Sequence, residues 1–371
     1  MQNRRCVVTV RTKMKCLMPV IALATLPFKP EHNNLRHHPR VVDSVKTFCA
    51  AYFFILFYPR SLRISIWRGG ALFLLGMVYF MSLFELMNMM VLFTSFGAAL
   101  RARFRLSTAE VLDISNKAVS AIQAVLSCAT GVVVVQWSCA RDLVRTSHFV
   151  SEAYAWFGAA YFFYDIWSMY TVSYQICTYF ILMSWIFQLS ARAALVRPLQ
   201  CVRGDISFLG YCRSEPVILM HHLFIGGFGF LVIVYLRGGL GDCVFGFVYL
   251  MELSTPFVSF RGILSRLRMK ASKLYLLNGI VMLVSFFACR VASLPYVCLM
   301  YSRAIGKPYF EALKSLPTGC KVSIAILLLP QLYWFFLMSA GAVKVFSDGT
   351  RRRRCARAPA SAATGASGCE Y

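Results

Sequence analysis

The chain has 371 residues, is 58% hydrophobic and only 15% charged. Water-soluble domains carry roughly 25% charge, so this balance excludes an ordinary soluble domain and points to lipid as the solvent. The 39 Lys+Arg outnumber 15 Asp+Glu for a formal net charge of +24. These bases sit between long apolar runs, not on an aromatic-interleaved face, which argues against nucleic acid and for loops facing an anionic cytoplasmic leaflet.

Residues 1–44 are basic: Arg4, Arg5, Arg11, Lys13 and Lys15 all precede the first acid, Glu31. They read as a cytosolic basic tail or an over-extended start, ahead of a targeting peptide. A spanning helix needs about 20 mostly apolar residues. Runs of that kind lie at 69–96, 117–137, 152–172, 217–236, 243–260, 274–301 and 322–343. A shorter run at 45–58 is a marginal extra span, and the apolar stretch 174–196 is long enough to cross. The expected fold is therefore all-α, a polytopic transmembrane bundle of about seven to eight spans. Its expected divisions are a basic extension at 1–68, a first helix and linker at 69–109, a main helical domain at 110–345 and a polar, disordered tail at 346–371.

Charge sets the expected orientation. If the seven strong runs cross, one side collects Arg101, Arg103 and Arg105, then Arg192, Arg197, Arg203 and Arg213, the Arg261–Lys273 cluster, and Arg351 to Arg354. That side is expected to be cytosolic, with the C-terminus on it. An additional crossing at 174–196 would invert every later helix, so that stretch is expected to pack at the interface, to re-enter, or to prolong the preceding helix.

The 14 cysteines form no CxxC and no Cys/His cluster, so no zinc site is expected, and no cofactor. Several lie inside apolar runs, where a thiol behaves as a small hydrophobe.

Charged groups at bilayer depth are costly and tend to face a bundle interior and mark function. This chain places Glu85, Asp165, His221, His222, Glu252 and Arg290 inside apolar runs, with Ser254, Thr255 and Asn278 as uncharged polar groups. His221 and His222 diverge by about 100° on a helix, so one imidazole can face the interior while the other faces elsewhere. They are candidates for proton transfer, set against a satisfied interhelical pair. Asp165 stays charged only if His221, His222 or Arg290 pairs with it. Arg290 calls for a carboxylate, with Glu252 the expected partner and a lipid phosphate the alternative. Pro256 bends the wall that carries Glu252, Ser254 and Thr255.

These strings resemble the TLC-domain family, the membrane fold of ceramide synthases and translocating-chain-associated membrane proteins. The resemblance rests on YFFYD (161–165), MHHL around His221–His222, ELSTPF (252–257) followed by Arg261, Asn278-Gly279 leading to Arg290 and Pro295, and the closing LYWFFLMSAGAVK. It covers about residues 110–345. ELSTPF is similar to the branch of the family without ceramide-synthase activity, and the stretch after the paired histidines lacks the synthases' further aspartates. Two departures stand out. Gln123 occupies a position where the family commonly has histidine, and 45 residues separate Tyr170 from Pro216.

The resemblance implies a protein of the endoplasmic reticulum or another endomembrane that binds, senses or regulates membrane lipids. Glu252, Ser254, Thr255, Asn278 and Arg290 would then hold lipid. The alternative is an acyltransferase in which His221, His222 and Asp165 act on an acceptor with acyl-CoA as donor. A cargo receptor or membrane-protein chaperone is a third reading. Membrane lipids are the expected partners, with a second copy of the chain or other membrane proteins beside them.

Overall fold

The computed structural model describes residues 64–174, 212–213, 219–220 and 222–357. The marginal run 45–58, His221 and all but the first residue of 174–196 lie outside them. Everything described is helical or connects helices.

Helix α1 (Ile66–Phe93) begins at Ser65, whose hydroxyl accepts the Arg68 amide, and stops at Thr94. Thr94 serves two elements: its hydroxyl donates to Met90 O of α1 and accepts the Gly97 amide of the short α2 (Ser95–Phe104). A capping box, Ser107 against Glu110, starts α3 (Thr108–Ser138). Helix α4 spans Phe149–Tyr174. Helix α5 covers residues 223–236 and is wide-wound: π turns at Leu223–Phe228 and Val232–Leu236 flank one α turn.

Three of the remaining helices carry a proline within them. In α6 (Asp242–Arg266), Pro256 cannot donate to Glu252 O, and the chain tightens into a 3₁₀ turn at Met251–Ser254 in which Thr255 N–H takes that carbonyl. In α7 (Lys273–Ala304), a π turn at Phe287–Val291 precedes Pro295. After the short α8 (Tyr309–Ser315), α9 (Thr318–Arg357) carries Pro330 in its interior.

Helices α1, α3, α6, α7 and residues 318–344 of α9 make five described helices long and apolar enough to cross a membrane. They correspond to the apolar runs at 69–96, 117–137, 243–260, 274–301 and 322–343. Helix α4 has the length, at 26 residues, but its tyrosines, Glu152 and Asp165 lower its apolarity below theirs. Tyr154, Tyr161, Tyr164 and Asp165 are buried inside the bundle, and Ala153 to Tyr161 are buried without a break. Its rings meet those of α1: Phe80 lies 5.3 Å from Phe157 and 5.4 Å from Tyr161. Helix α3 is the hub, with 39% of its most apolar window buried, whereas α9 buries only 6% and hangs at the edge.

Helix α3 runs antiparallel to α4 and to α6, whereas α1 runs parallel to α4, with Gly69 against Trp156, Gly76 against Ala160 and Phe84 against Trp167. Along α3, Asn116, Ser120 and Gln123 meet Asp165, Tyr161 and Tyr154 of α4 in reverse order. Against α6, Asp113 meets Arg266 at one end and Cys139 meets Cys243 at the other. At the crossing between, Gly131 and Gly246 let the backbones touch: a Cβ on Gly131 would stand 2.8 Å from Gly246 O. Small residues are what close packing in lipid requires, since no hydrophobic effect separates helix from acyl chain.

One corner ties four helices together. Cys139, at the end of α3, is disulfide-bonded to Cys243, at the start of α6, with a Cα–Cα distance of 4.9 Å. Gly241 N–H donates to Val144 O at 2.7 Å. The fully buried Asp242 accepts the backbone N–H of His148, before α4, and the guanidinium of Arg237, after α5. The sequence separation of this pair, 104, leaves no local signal of the bond.

Candidate functional site

A stripe of polar residues runs along the buried face of α3 at helical spacing: Asn116, Ser120, Gln123 and Ser127. In lipid each needs a partner. Tyr161 donates to Ser120 Oγ at 2.8 Å, Gln123 donates to Tyr154 at 3.1 Å, and Ser127 donates to Tyr249 O at 3.1 Å.

At Asn116 the stripe opens into a cluster. Its amide nitrogen donates to Asp165 Oδ1 at 3.0 Å, and its oxygen accepts the hydroxyls of Tyr164 and Ser168, both at 2.9 Å. The other carboxylate oxygen, Asp165 Oδ2, lies 2.7 Å from His222 Nε2. Phe162 packs edge-on against that imidazole at 5.8 Å. Asp165 and His222 are each 7% exposed, so water does not screen the pair. A carboxylate on one ring nitrogen fixes the tautomer and the orientation of the ring. The cluster can thus hold or move a proton, or hydrogen-bond a polar group reaching it from the bilayer.

Its depth follows from helix geometry. Asn116 lies eight residues from the first residue of α3, about 12 Å, while Cys139 lies 23 residues the other way, about 34 Å. The cluster belongs to the half of the bundle nearest Arg101–Arg105 and Arg261–Lys273.

A second cluster surrounds Arg290, on the π turn of α7. Nε donates to Ser254 Oγ at 2.9 Å, one terminal nitrogen to Thr255 Oγ1 at 2.7 Å, and the other to Gln331 Oε1 at 3.4 Å. Glu252 stands 3.2 Å from the guanidinium and accepts the Thr255 hydroxyl. The three proline-containing helices α6, α7 and α9 meet here, and Phe287 packs on Phe335 beside Gln331. All three guanidinium nitrogens already have protein acceptors, so the arrangement is first a brace. A lipid phosphate would have to displace one of them.

Among the residues singled out from sequence, the structure brings Asp165 and His222 together, and separately Glu252, Ser254, Thr255 and Arg290. Asn278 stands apart, donating to Phe257 O at 2.9 Å. His221 lies outside the described residues. Glu85, half-buried on α1, is within electrostatic reach of Tyr164. Tyr161 is within reach of both Asp165 and Glu252, and so stands between the two clusters. Asn116, Tyr164, Ser168 and Gln331 were not singled out, although the spacing of polar residues along α3 marked the face that carries Asn116. Among the described residues no group of three or more His, Cys, Asp or Glu is placed to hold a metal.

The corner opposite the Asp165 cluster has its own electrostatics. The Asp142 carboxyl is held below its ordinary value by the backbone N–H groups of Arg145 and Val144. Burial pushes the His148 imidazole down, and Asp242 only partly offsets this.

No solved structure matches the chain. It is 34% identical over 136 residues to the human (Homo sapiens) protein named TLC domain-containing protein 4, an alignment covering 36% of this chain and 51% of that protein. The chain thus spans about half the length of the curated relative it matches. Residues 113–340 match the family model of the TLC domain, shared by TRAM, LAG1 and CLN8, which takes in the clusters at Asp165 and Arg290 and the helices that carry them. The chain belongs to the TLC-domain family.

Proposed function

We propose that this integral membrane protein binds a membrane lipid at the Asp165–His222 cluster and through it senses or regulates lipid composition. The observation that carries the reading is the cost of the cluster: an acid and an imidazole held together among apolar helices, where ionisable groups are expensive and so tend to mark function. Asn116, Tyr164 and Ser168 orient Asp165, and Asp165 orients His222. The α6–α7–α9 wall at Arg290 would flank the bound headgroup.

A second reading is favoured by one contact, His222 Nε2 on Asp165 Oδ2 at 2.7 Å. Such a pair suits a general base. In an acyl transfer from acyl-CoA, His222 would take the proton of an amine or hydroxyl as the new acyl bond forms, and the thioester C–S bond would break to release the thiol. Recognition of other membrane proteins as cargo is a third reading, to which neither cluster contributes.

On architecture, we infer that α4 and the α5 region also cross, which brings the count to seven. The corner at Cys139–Cys243 supports this, because the chain leaves it at α4 and returns to it from α5. Disulfides persist in oxidising compartments, so that corner would face a lumen. The basic turns at the opposite end, and with them the C-terminus, would face the cytosol. The endoplasmic reticulum is the membrane this reading favours. The sequence ELSTPF keeps the chain with the branch of the family lacking ceramide-synthase activity.

The test is lipid analysis of cells lacking the protein, rescued by wild type or by His222→Ala. Restoration of the lipid profile by both would remove the cluster from the function. An assay of the purified protein with acyl-CoA and candidate amines separates binding from transfer.

A further inference from the structure

Two turns at the end of the bundle opposite the disulfide carry arginine where backbone geometry favours glycine. Helix α2 ends at Arg105 with φ +50°, and α6 ends at Arg268 with φ +59°. Among the described residues these are the only non-glycine positions with positive φ. Both follow a helix as left-handed caps: Leu106 N–H reaches back to Arg101 O at 3.0 Å, and Met269 N–H to Leu264 O at 2.9 Å. Glycine takes this conformation without strain and arginine does not, so two guanidinium groups are held here at a conformational cost.

The turns face each other. The Arg268 guanidinium is 3.5 Å from Arg105 O and 3.3 Å from Glu110. Residues 95–117 and 261–273 together carry nine Lys and Arg against two acids. Both acids are already engaged: Glu110 caps α3 at Ser107 and meets Arg268, and Asp113 pairs with Lys117 at 3.1 Å and Arg266 at 2.6 Å. Part of the remaining positive charge is exposed. Arg105, Lys270 and Lys273 stand in solvent, and the Arg268 side chain is 59% accessible. This charge sits where a helical bundle meets headgroups, at the end away from Cys139–Cys243, and therefore on the side where anionic lipids concentrate.

We propose that the paired turns at Arg105 and Arg268, with Lys270 and Lys273, form a binding site for a polyphosphorylated anionic lipid headgroup of the cytosolic leaflet. Planar guanidinium groups match phosphate oxygens with two parallel hydrogen bonds, and two lysines add point charges. The proposal makes no use of the Asp165–His222 cluster and stands whether or not that cluster binds lipid.

The test uses the full chain in phosphatidylcholine nanodiscs titrated with dioctanoyl phosphatidylinositol bisphosphate. The variants are Arg105→Gly/Arg268→Gly and, separately, Lys270→Gln/Lys273→Gln. The charge-matched control is Arg141→Gln/Arg145→Gln, at the disulfide end. The glycine pair is expected to melt no lower than wild type, because it relieves two strained caps, yet to bind about tenfold more weakly. The lysine pair, whose backbone needs no special conformation, is expected to weaken binding in the same sense. The control is expected to bind within about twofold of wild type, and inositol trisphosphate lacking the lipid to bind more weakly than the lipid. Two results would overturn the proposal: undiminished binding by both the glycine and the lysine pair, or an equal loss in the control. Equal affinity for free inositol trisphosphate would overturn the assignment to a lipid.

Discussion

His222 Nε2 and Asp165 Oδ2 stand 2.7 Å apart across the seam between α4 and the start of α5, 57 residues apart in the chain. The pair joins two helices whose connecting segment is long, and Asn116 extends the link to α3. Removing one partner leaves the other buried without it. Asp165→Ala should lower stability by about 1–2 kcal/mol, the range of interhelical hydrogen bonds in lipid. Asp165→Asn should cost less, because it still meets Asn116. Thermal denaturation in detergent measures both; equal losses would show that the carboxylate charge, not the contact, is what matters.

The brace at Arg290 predicts a different pattern. Arg290→Met removes the cation beside Glu252, whose side chain is 22% accessible, and should cost less than the roughly 3–5 kcal/mol of breaking a fully buried pair. The double variant Arg290→Met/Glu252→Gln should recover part of that loss. Gln331→Leu should be milder, since α9 is already peripheral. A double-mutant cycle read by denaturation decides; additivity of Arg290→Met and Glu252→Gln would mean that the 3.2 Å contact carries no coupling.

Loss of the disulfide should cost about 2–4 kcal/mol. Cys139→Ser and Cys243→Ser should each lower the melting temperature, and the two together no further than either alone. Mass mapping of peptides from protein alkylated without reductant should return Cys139 joined to Cys243. Recovery of both as alkylated thiols would remove the bond and the orientation argument built on it.

The same corner should give the protein an acid-sensitive step. Burial lowers the His148 pKa from its ordinary 6.5, so below that value the unfolded chain binds the proton more readily than the folded one. The stability His148 contributes is therefore complete above about pH 6.5 and is lost as pH falls through the depressed folded value. His148→Gln should flatten the melting temperature between about pH 5 and 7 relative to wild type. Parallel curves would assign the acid response elsewhere.

Much of the bundle was legible because length and apolarity are local properties. The runs at 69–96, 117–137, 243–260, 274–301 and 322–343 became helices, although α3 starts at Thr108, well ahead of its run, and α9 continues to Arg357, well beyond its run. The run at 152–172 also became a helix, α4 (Phe149–Tyr174), whose rings serve α1 and whose hydroxyls serve α3. The cost of placing charge in apolar sequence singled out Asp165, His222, Glu252 and Arg290, which the structure gathers into two clusters. That criterion passes over Asn116, Ser168 and Gln331, because an amide or hydroxyl on a helix is unremarkable until its partner is known. The bond between Cys139 and Cys243 is a property of the folded chain, where antiparallel packing of α3 on α6 brings two distant cysteines to one corner.

The most direct test of a lipid site at Asp165 and His222 is mass spectrometry of lipid retained by the purified chain after exhaustive detergent exchange. Wild type and Arg141→Gln should keep a discrete lipid species in near-stoichiometric amount. His222→Ala and Asp165→Asn, chosen at a temperature where both remain folded, should lose it. An unchanged lipid complement in both cluster variants, or none in wild type, would contradict the account.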